Sequence, residues 1–195
     1  MTAKKEDRRV QRTRGMLFEA LMDLIVEKGY DAITIQDIID RANIGRSTFY
    51  SHFLDKEQLL LENVDQLREF LKEQRVIPSS QGEPGEYRFG FSLAMIQHVQ
   101  SHKLIFRAVA GKQSGVLVIY HIKRMLTEIA REEIAAFLPS STPPIIPQEV
   151  ATEFVVNTFW SIVTWWMEQS RPYSAKEIDQ MFHKLALSGI SALEN

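Results

Sequence analysis

Residues 33–56 hold a run of side chains that can donate hydrogen bonds to a nucleic acid. The polar side chains on the second of two predicted short helices are Arg46, Ser47, Thr48, Tyr50 and His52. Phe49 and Phe53, four residues apart, share its inward face. Polar groups above an aromatic anchor are typical of a helix that enters the major groove, with Arg46 the leading candidate for a base or phosphate contact. Ser47, Thr48 and Gln36 are candidates for base-edge or phosphate contacts.

The residues before this helix predict a helix and a tight turn that would position it. Thr34 is a favourable N-cap, because its hydroxyl can accept from an early helix N–H. Apolar residues then recur at helical spacing, at Ile35, Ile38, Ile39 and Ala42. Asn43 tolerates a positive φ and lets the chain reverse, and Gly45 can open the next helix. The pattern predicts a helix-turn-helix.

This segment resembles the DNA-binding domain of the TetR family of bacterial transcriptional regulators over roughly residues 8–70. The matching residues are Gly29, Tyr30, Thr34, Ile38, Ala42, Ile44, Thr48, Phe49, Tyr50, His52, Phe53, Lys56, Leu59 and Leu60. Asn43 and Gly45 stand where the family more often has glycine and then serine, and Ile39 where alanine is usual. The resemblance implies that Thr34 belongs to the DNA-binding set. It also implies that Tyr50, His52 and Lys56 bind phosphate.

Composition places limits on the class of protein. The 195 residues are 45% hydrophobic and 25% charged, with a net charge of −2 and no cysteine. These values are ordinary for a soluble globular chain and exclude disulfides, thiolate metal sites and cysteine nucleophiles. The charged N-terminus lacks the apolar stretch of a signal peptide. The longest apolar region, residues 154–167, is broken by polar residues and is shorter than a membrane span. We expect a cytoplasmic protein without a membrane partner.

The first fourteen residues are strongly basic. They contain Lys4, Lys5, Arg8, Arg9, Arg12 and Arg14 against two acidic residues, Glu6 and Asp7. A basic terminal run is often only a solvated tail. Because it precedes a helix-turn-helix, we favour a role in phosphate contact.

The whole chain is predicted to be all-α and to form two domains. Residues 1–56 form an N-terminal arm and a three-helix, helix-turn-helix DNA-binding domain, and residues 57–195 form a helical effector-binding and dimerisation domain. Beyond the motif, helices are expected over about 56–75, 87–100, 103–110, 115–138, 148–169 and 175–193. Proline-rich and glycine-rich stretches at 77–86 and 139–147 are expected to be connections.

The last two predicted helices carry more large apolar side chains than one buried stripe requires. They form either an ordinary core or, as we favour, a two-fold interface with a second copy. Dimerisation through these helices is also what the TetR resemblance implies. The expected interface residues are Trp165, Ile178, Met181, Phe182 and Leu185. A dimer would match a palindromic operator in double-stranded DNA.

The C-terminal region also contains candidates for a small-molecule cavity, since aromatic pockets between helices favour apolar ligands. The candidate lining residues are Phe89, Phe91, Phe106, Tyr120, Phe154, Thr158 and Trp160. Aromatic residues at helical spacing are core more often than pocket, so both interpretations stay open.

Other chemistry finds little support in the residue pattern. His98 and His102 share a helical face, but no nearby carboxylate completes a metal site, so no metal is expected. No cofactor or catalytic motif is present, and an enzyme is not expected. The leading hypothesis is a homodimeric repressor released by a small apolar effector. The rival is a co-regulator or activator on the same fold that acts through protein contacts without a ligand.

Overall fold

The computed structural model describes residues 8–74, 88–110, 115–137, 146–169 and 173–190, and every regular element in these ranges is helical. The α-helices are α1 (Arg8–Lys28), α2 (Ile35–Ala42), α3 (Arg46–His52), α4 (Lys56–Glu73), α5 (Gly90–Ser101), α6 (Lys103–Ala110), α7 (Val116–Phe137), α8 (Gln148–Glu168) and α9 (Ala175–Ile190). A 3-10 turn at Tyr30–Ala32 joins α1 to α2. The predicted all-α fold is confirmed.

Helix boundaries differ from the sequence prediction mainly at α5. This helix begins at Gly90, three residues after the predicted start, and ends at Ser101. The expected loop at 77–86 lies outside the described residues, as does most of the expected connection at 139–147. Residues 1–7 of the basic segment also lie outside them, whereas Arg8 to Arg14 form the first turns of α1 rather than an extended arm.

The described residues divide into two compact units. The first contains the residues up to Gln66 together with Leu104–His121, and the second contains Leu67–Lys103 and the residues from Ile122 onward. Both α4 and α7 therefore contribute to each unit. The domain boundary expected after residue 56 stays a prediction.

The first unit has a core beneath the helix-turn-helix. α1 packs against α2, and α2 contacts α3. Leu17, Leu21 and Ile25 from α1 are fully buried there, as are Ile38 of α2 and Phe49 of α3. This core fixes the direction in which α3 presents its outer face, because a short helix is held mainly by tertiary packing.

The second unit is built around α9, which packs against α5 and α8. Phe182 of α9 is fully buried, and its ring lies 5.6 Å from Phe89, 6.1 Å from Phe91 and 5.2 Å from Phe159, measured between centroids. Tilted and edge-to-face contacts at these distances are the favourable arrangements for aromatic rings. This cluster is the centre of the unit's core.

No helix of the described residues is long and apolar enough to span a membrane.

Candidate nucleic-acid interface

The start of α2 is held by a reciprocal cap. The Thr34 backbone N–H donates to Asp37 Oδ2 at 2.7 Å, and the Asp37 N–H donates to Thr34 Oγ1 at 3.2 Å. Lys28 Nζ lies 2.7 Å from the same Asp37 carboxylate. The Lys28 ammonium, followed by the Thr34 bonds, holds the pKa of Asp37 far below its usual range. The Thr34 hydroxyl is thus engaged in capping α2, as predicted for an N-cap.

The turn between α2 and α3 depends on a left-handed residue. Asn43 has φ 52° and ψ 49°, and its N–H donates to the Asp40 carbonyl at 3.2 Å. The Ile44 N–H then reaches back to the Ile39 carbonyl at 2.9 Å, which satisfies a carbonyl at the end of α2. Gly45 is the N-cap of α3 with φ −69°, a conformation open to any residue. The positive φ predicted at Asn43 is confirmed.

Two phenylalanines anchor α3 to the first unit. Phe49 and Phe53 are almost completely buried, with ring centroids 6.0 Å apart. The Tyr50 ring packs edge-on against Phe49 at 5.5 Å, yet half of Tyr50 stays exposed. The anchor predicted from the four-residue spacing is confirmed. α3 therefore keeps its opposite face available to solvent.

The outer face of α3 carries the predicted DNA-contacting residues. Arg46 and Ser47 are exposed, whereas Thr48 and His52 are half-buried. Arg46 Nη2 donates to Gln36 Oε1 at 3.0 Å, so the structure brings the candidate of α2 together with that of α3. Gln36 in turn donates to Asp40, a residue that the sequence analysis did not select. The signal for Asp40 was its position four residues after Gln36 on a helix.

Lys56, expected to contact phosphate, binds backbone carbonyls of its own unit in the structure. Its ammonium donates to the carbonyls of Tyr30 at 2.9 Å and Ile33 at 2.8 Å, with Asp31 further away at 3.4 Å. It also stands 4.5 Å above the Tyr30 ring, whose pKa is raised to about 12 by burial and nearby carboxylates. Three carbonyls match the three protons of an ammonium group. These contacts fasten the start of α4 to the 3-10 turn, and the contact of Lys56 with phosphate stays a prediction.

Other basic residues of the first unit are paired with acids. Arg41 of α2 donates to both oxygens of Glu27 at 2.8 and 2.6 Å. This bidentate contact lowers the pKa of Glu27 and raises that of Arg41. Arg14 lies 2.9 Å from Glu62 and stacks 5.7 Å from the centre of the Phe53 ring. The Arg41 pair is exposed and the Arg14 pair is half-buried, so each adds little stability while it links two helices of the first unit.

The candidate pocket residues fall into separate environments. Phe89, Phe91 and Phe106 are buried, whereas Tyr120 and Phe154 are exposed large apolar residues. The remaining two, Thr158 and Trp160, are half-buried, and Lys123 Nζ lies 5.5 Å from the Trp160 ring. Phe106 and Tyr120 belong to the first unit and the other five to the second. The fully enclosed Phe91 contacts Phe159 and Phe182, which makes it a core residue here.

The candidate dimer residues divide in the same way. Ile178 and Phe182 have no exposed surface within this chain, because both lie in its core. Trp165 and Leu185 are 41% and 57% exposed, and Met181 is half-buried. Only these three keep surface that a second copy could cover.

A buried polar cluster in the second unit escaped the sequence analysis. The Phe89 N–H donates to His183 Nε2 at 2.9 Å, and the next amide, Gly90 N–H, donates to Glu133 Oε2 at 2.9 Å. Ser92 contacts both the Phe89 carbonyl and the Asp179 carboxylate. Within the described residues, the N-cap of α5, Phe89, supplies no side-chain cap. Side chains of α7 and α9 supply the missing acceptors, as buried N–H groups require.

The same cluster contains a serine, an aspartate and a histidine, but they are not hydrogen-bonded in the sequence serine–histidine–aspartate that a catalytic triad needs. Ser92 contacts the Asp179 carboxylate directly. The His183 ring accepts from the Phe89 N–H through Nε2, and its Nδ1 lies 2.8 Å from the Asp179 carbonyl and 3.4 Å from the Asp179 carboxylate. In a triad the imidazole stands between the hydroxyl and the carboxylate. The arrangement therefore serves as a helix cap.

His98 and His102 do lie together, as their spacing predicted. Their ring centroids are 4.3 Å apart, and His102 Nδ1 is 2.9 Å from the His98 carbonyl. Burial, followed by the charge of His102, lowers the pKa of His98 to about 4. Across the described ranges there is no group of three or more histidine and acidic side chains placed to hold a metal ion.

Family models match both units of the chain. Residues 17–62 match the model described as bacterial regulatory proteins, tetR family, and residues 89–188 match a transcriptional regulator C-terminal region. The transcriptional repressor KstR2 of Mycolicibacterium smegmatis is 25% identical over 193 residues, which is 91% of this chain and 90% of KstR2.

Solved structures show the same fold. NalD, the secondary repressor of the MexAB-OprM multidrug efflux pump in Pseudomonas aeruginosa, matches with a TM-score of 0.65 at 17% identity, covering 93% of this chain and 97% of NalD. RolR, solved in complex with resorcinol, matches with a TM-score of 0.58 at 22% identity, and the match covers 93% of this chain and 88% of RolR. With the capped helix-turn-helix and its anchored polar helix, these matches identify the chain as a DNA-binding transcriptional regulator of the TetR family.

Proposed function

We propose that the protein is a homodimeric repressor that binds a palindromic operator and is released from it by a small apolar effector. The observation that carries the proposal is α3, a helix anchored by Phe49 and Phe53 with a polar outer face. KstR2 and NalD are named as repressors, which favours repression over activation for this chain.

In this proposal α3 lies in the major groove and Arg46 contacts base edges. Ser47 and Thr48 are available for base-edge or phosphate bonds, and Tyr50 and His52 flank the groove at the phosphate backbone. Thr34 and Lys56 act indirectly, since their polar atoms already hold α2 and the 3-10 turn in place. Gln36 joins α3 through its bond to Arg46.

The dimer surface that we propose lies on the exposed apolar side chains of α8 and α9. Val150, Phe154 and Trp165 of α8 are each more than 40% exposed, as is Leu185 of α9. The Phe154 ring lies so close to Gly189 that a β-carbon there would come within 2.5 Å of it. This close approach brings the apolar face of α8 next to α9. Isologous pairing of such a face would give a dimer with two copies of α3, a number that matches the two half-sites of a palindrome.

The effector site that we propose is centred on the half-buried Thr158 and Trp160 of α8. Lys123 approaches Trp160, and its ammonium donates to Asn157 Oδ1 at 3.2 Å, so a polar rim borders the indole. An apolar surface with a few convergent polar groups is the usual form of a small-molecule site. RolR, which has the same fold, was solved with resorcinol, a small aromatic compound.

Binding to DNA is tested by replacing Arg46 with alanine. Operator duplexes are first selected from a random pool with the wild-type protein. We expect Arg46→Ala to weaken binding to the selected duplex by ~1–3 kcal/mol, the cost of losing a base contact. Arg131→Ala is the matched control, because Arg131 is an exposed arginine on α7. Equal affinities of wild type and Arg46→Ala in a fluorescence anisotropy titration would contradict the assignment.

The dimer is tested by a charge at Leu185. Leu185→Asp would desolvate a carboxylate in the proposed interface and should split the dimer in sedimentation velocity, with loss of operator binding. Leu104→Asp is the control, since Leu104 of α6 is 70% exposed and lies outside α8 and α9. If the Leu185→Asp protein is still a dimer, the interface does not include Leu185 and the proposed surface is wrong.

The effector is tested with resorcinol and with fatty acids added to the protein–operator complex. Fatty acids are included because FadR of Bacillus halodurans, a fatty acid degradation regulator, has the same fold with a TM-score of 0.64. A repressor of the proposed kind releases the duplex with at least one compound of apolar character, and Trp160→Ala loses that response while it still binds DNA. If none of these compounds releases wild-type protein from the duplex, the co-regulator acting through protein contacts becomes the better hypothesis.

A further inference from the structure

Three side chains on the outer surface of the first unit form a continuous hydrogen-bonded row. Arg46 Nη2 of α3 donates to Gln36 Oε1 of α2 at 3.0 Å. Gln36 Nε2 donates to Asp40 Oδ1 at 2.7 Å, one turn further along the same helix. All three residues are exposed, so the row stands at the surface rather than in the core. Its only link to α3 is the arginine proposed to contact bases.

The chemistry of the three groups permits one arrangement of the row. An arginine only donates, an ionised aspartate only accepts, and a glutamine amide does both, at opposite ends of its head. Because Asp40 accepts from the amide nitrogen, the amide oxygen must face Arg46. If the amide turned over, its NH₂ group would face the guanidinium and its oxygen would face the carboxylate, so both contacts would become repulsive.

We propose that Asp40 is a positioning residue for DNA recognition, which sets the orientation of Gln36 and through it the guanidinium of Arg46. One of the five N–H donors of Arg46 is used by Gln36, which leaves the others for a base edge. A guanidinium that is already oriented loses less side-chain freedom when it binds DNA. Guanine offers two acceptors, O6 and N7, that match two neighbouring N–H donors of a guanidinium. The row thus makes guanine the preferred base opposite Arg46. This inference rests on the proposed function of α3.

Asp40 also acts directly on DNA affinity through its charge, and this effect weakens binding whereas positioning of Arg46 favours it. A carboxylate near a phosphate backbone is repelled by every DNA sequence alike. Its removal should therefore strengthen binding to all duplexes if charge is its only effect. Loss of positioning should instead lower the ratio of affinities between duplexes that differ at one base. The two effects are separable because one acts on all DNA and the other on discrimination.

The experiment compares Asp40→Asn with Asp40→Ala. Asparagine keeps an oxygen that can accept from Gln36 and removes the charge, whereas alanine removes both. Affinity is measured by anisotropy for the duplex selected by the wild-type protein and for duplexes in which each guanine is replaced singly. We expect Asp40→Asn to bind all duplexes more tightly and to keep the wild-type ratio. We expect Asp40→Ala to lose at least about fivefold in the ratio at one guanine, the lower range for an arginine–guanine contact.

A double-mutant cycle shows whether Asp40 acts through Arg46. In the Arg46→Ala background, Asp40→Ala should leave the ratio unchanged, because the group that it positions is gone. Gln36→Leu should reproduce the effect of Asp40→Ala, and thermal melting of each variant checks that the exposed substitutions leave the fold intact. If Arg46→Ala lowers the ratio and Asp40→Ala does not, the positioning role is overturned while the DNA-binding proposal stands. If Arg46→Ala changes neither affinity nor ratio, the proposed role of Arg46 itself fails.

Discussion

The two units of this regulator use polar side chains in opposite ways. In the first unit Arg46, Gln36 and Asp40 form a row at the surface, and the half-buried Lys56 fastens a turn. In the second unit Glu133 and His183 are buried and accept from the first amides of α5. The first unit keeps surface groups ready for a partner, whereas the second uses buried groups to close its own helix.

The difference follows from how each unit begins its helices. α2 has a capping threonine and aspartate from its own segment, so its side-chain network is free to form outside the core. The described N-cap of α5 supplies no such side chain, and the Phe89 and Gly90 amides donate to acceptors on helices more than forty residues away. A helix capped locally can form part of a short, exposed motif. A helix capped from a distance depends on the whole tertiary structure of its unit.

The largest effect is expected in the aromatic core of the second unit. Phe182→Ala should lower the free energy of unfolding by ~3–5 kcal/mol, because the cluster with Phe89, Phe91 and Phe159 would be left with a cavity. Urea denaturation followed by circular dichroism measures it, with the exposed Lys184→Ala of α9 as control. A change below ~1 kcal/mol would contradict the enclosure of Phe182 by this aromatic cluster.

A smaller effect is expected at the buried cap of α5. His183→Ala should cost ~1–3 kcal/mol, since the Phe89 N–H would lose its acceptor in a dry environment. His183→Gln supplies another acceptor and should recover part of the loss. Hydrogen exchange at the Phe89 and Gly90 amides reports the cap directly. Unchanged exchange in His183→Ala would show that α5 does not depend on His183, a residue distant in sequence, for its cap.

The smallest of these effects is expected at the turn of the first unit. Asn43→Ala should destabilise the protein by ~1–2 kcal/mol, because alanine in the left-handed region brings its β-carbon too close to the following carbonyl. Asn43→Gly should stay within a few tenths of a kcal/mol of wild type or improve on it, because glycine adopts this conformation freely. Thermal melts of the two variants distinguish a backbone effect at Asn43 from the loss of a side-chain contact. Equal losses for both would point to a side-chain contact of Asn43 rather than to its backbone.

The predictions from sequence succeeded where the interaction was local. The cap at Thr34, the positive φ of Asn43 and the anchoring pair Phe49 and Phe53 all join residues no more than four positions apart. They did not include the carbonyl contacts of Lys56, whose ammonium reaches backbone oxygens more than twenty positions earlier. Nothing in the neighbourhood of a lysine reveals which carbonyls the fold brings to it.

The sequence by itself determined the helices, the turn between α2 and α3 and the polar outer face of α3, because backbone hydrogen bonds and side-chain spacing act over a few residues. Only the tertiary structure decided which apolar face of α9 is covered by its own chain. Phe182 and Leu185 share one helix and one chemical character, yet one is enclosed by α5 and α8 while the other is 57% exposed. Helical periodicity gives the direction of a side chain around its axis, whereas burial depends on which distant helix occupies that direction.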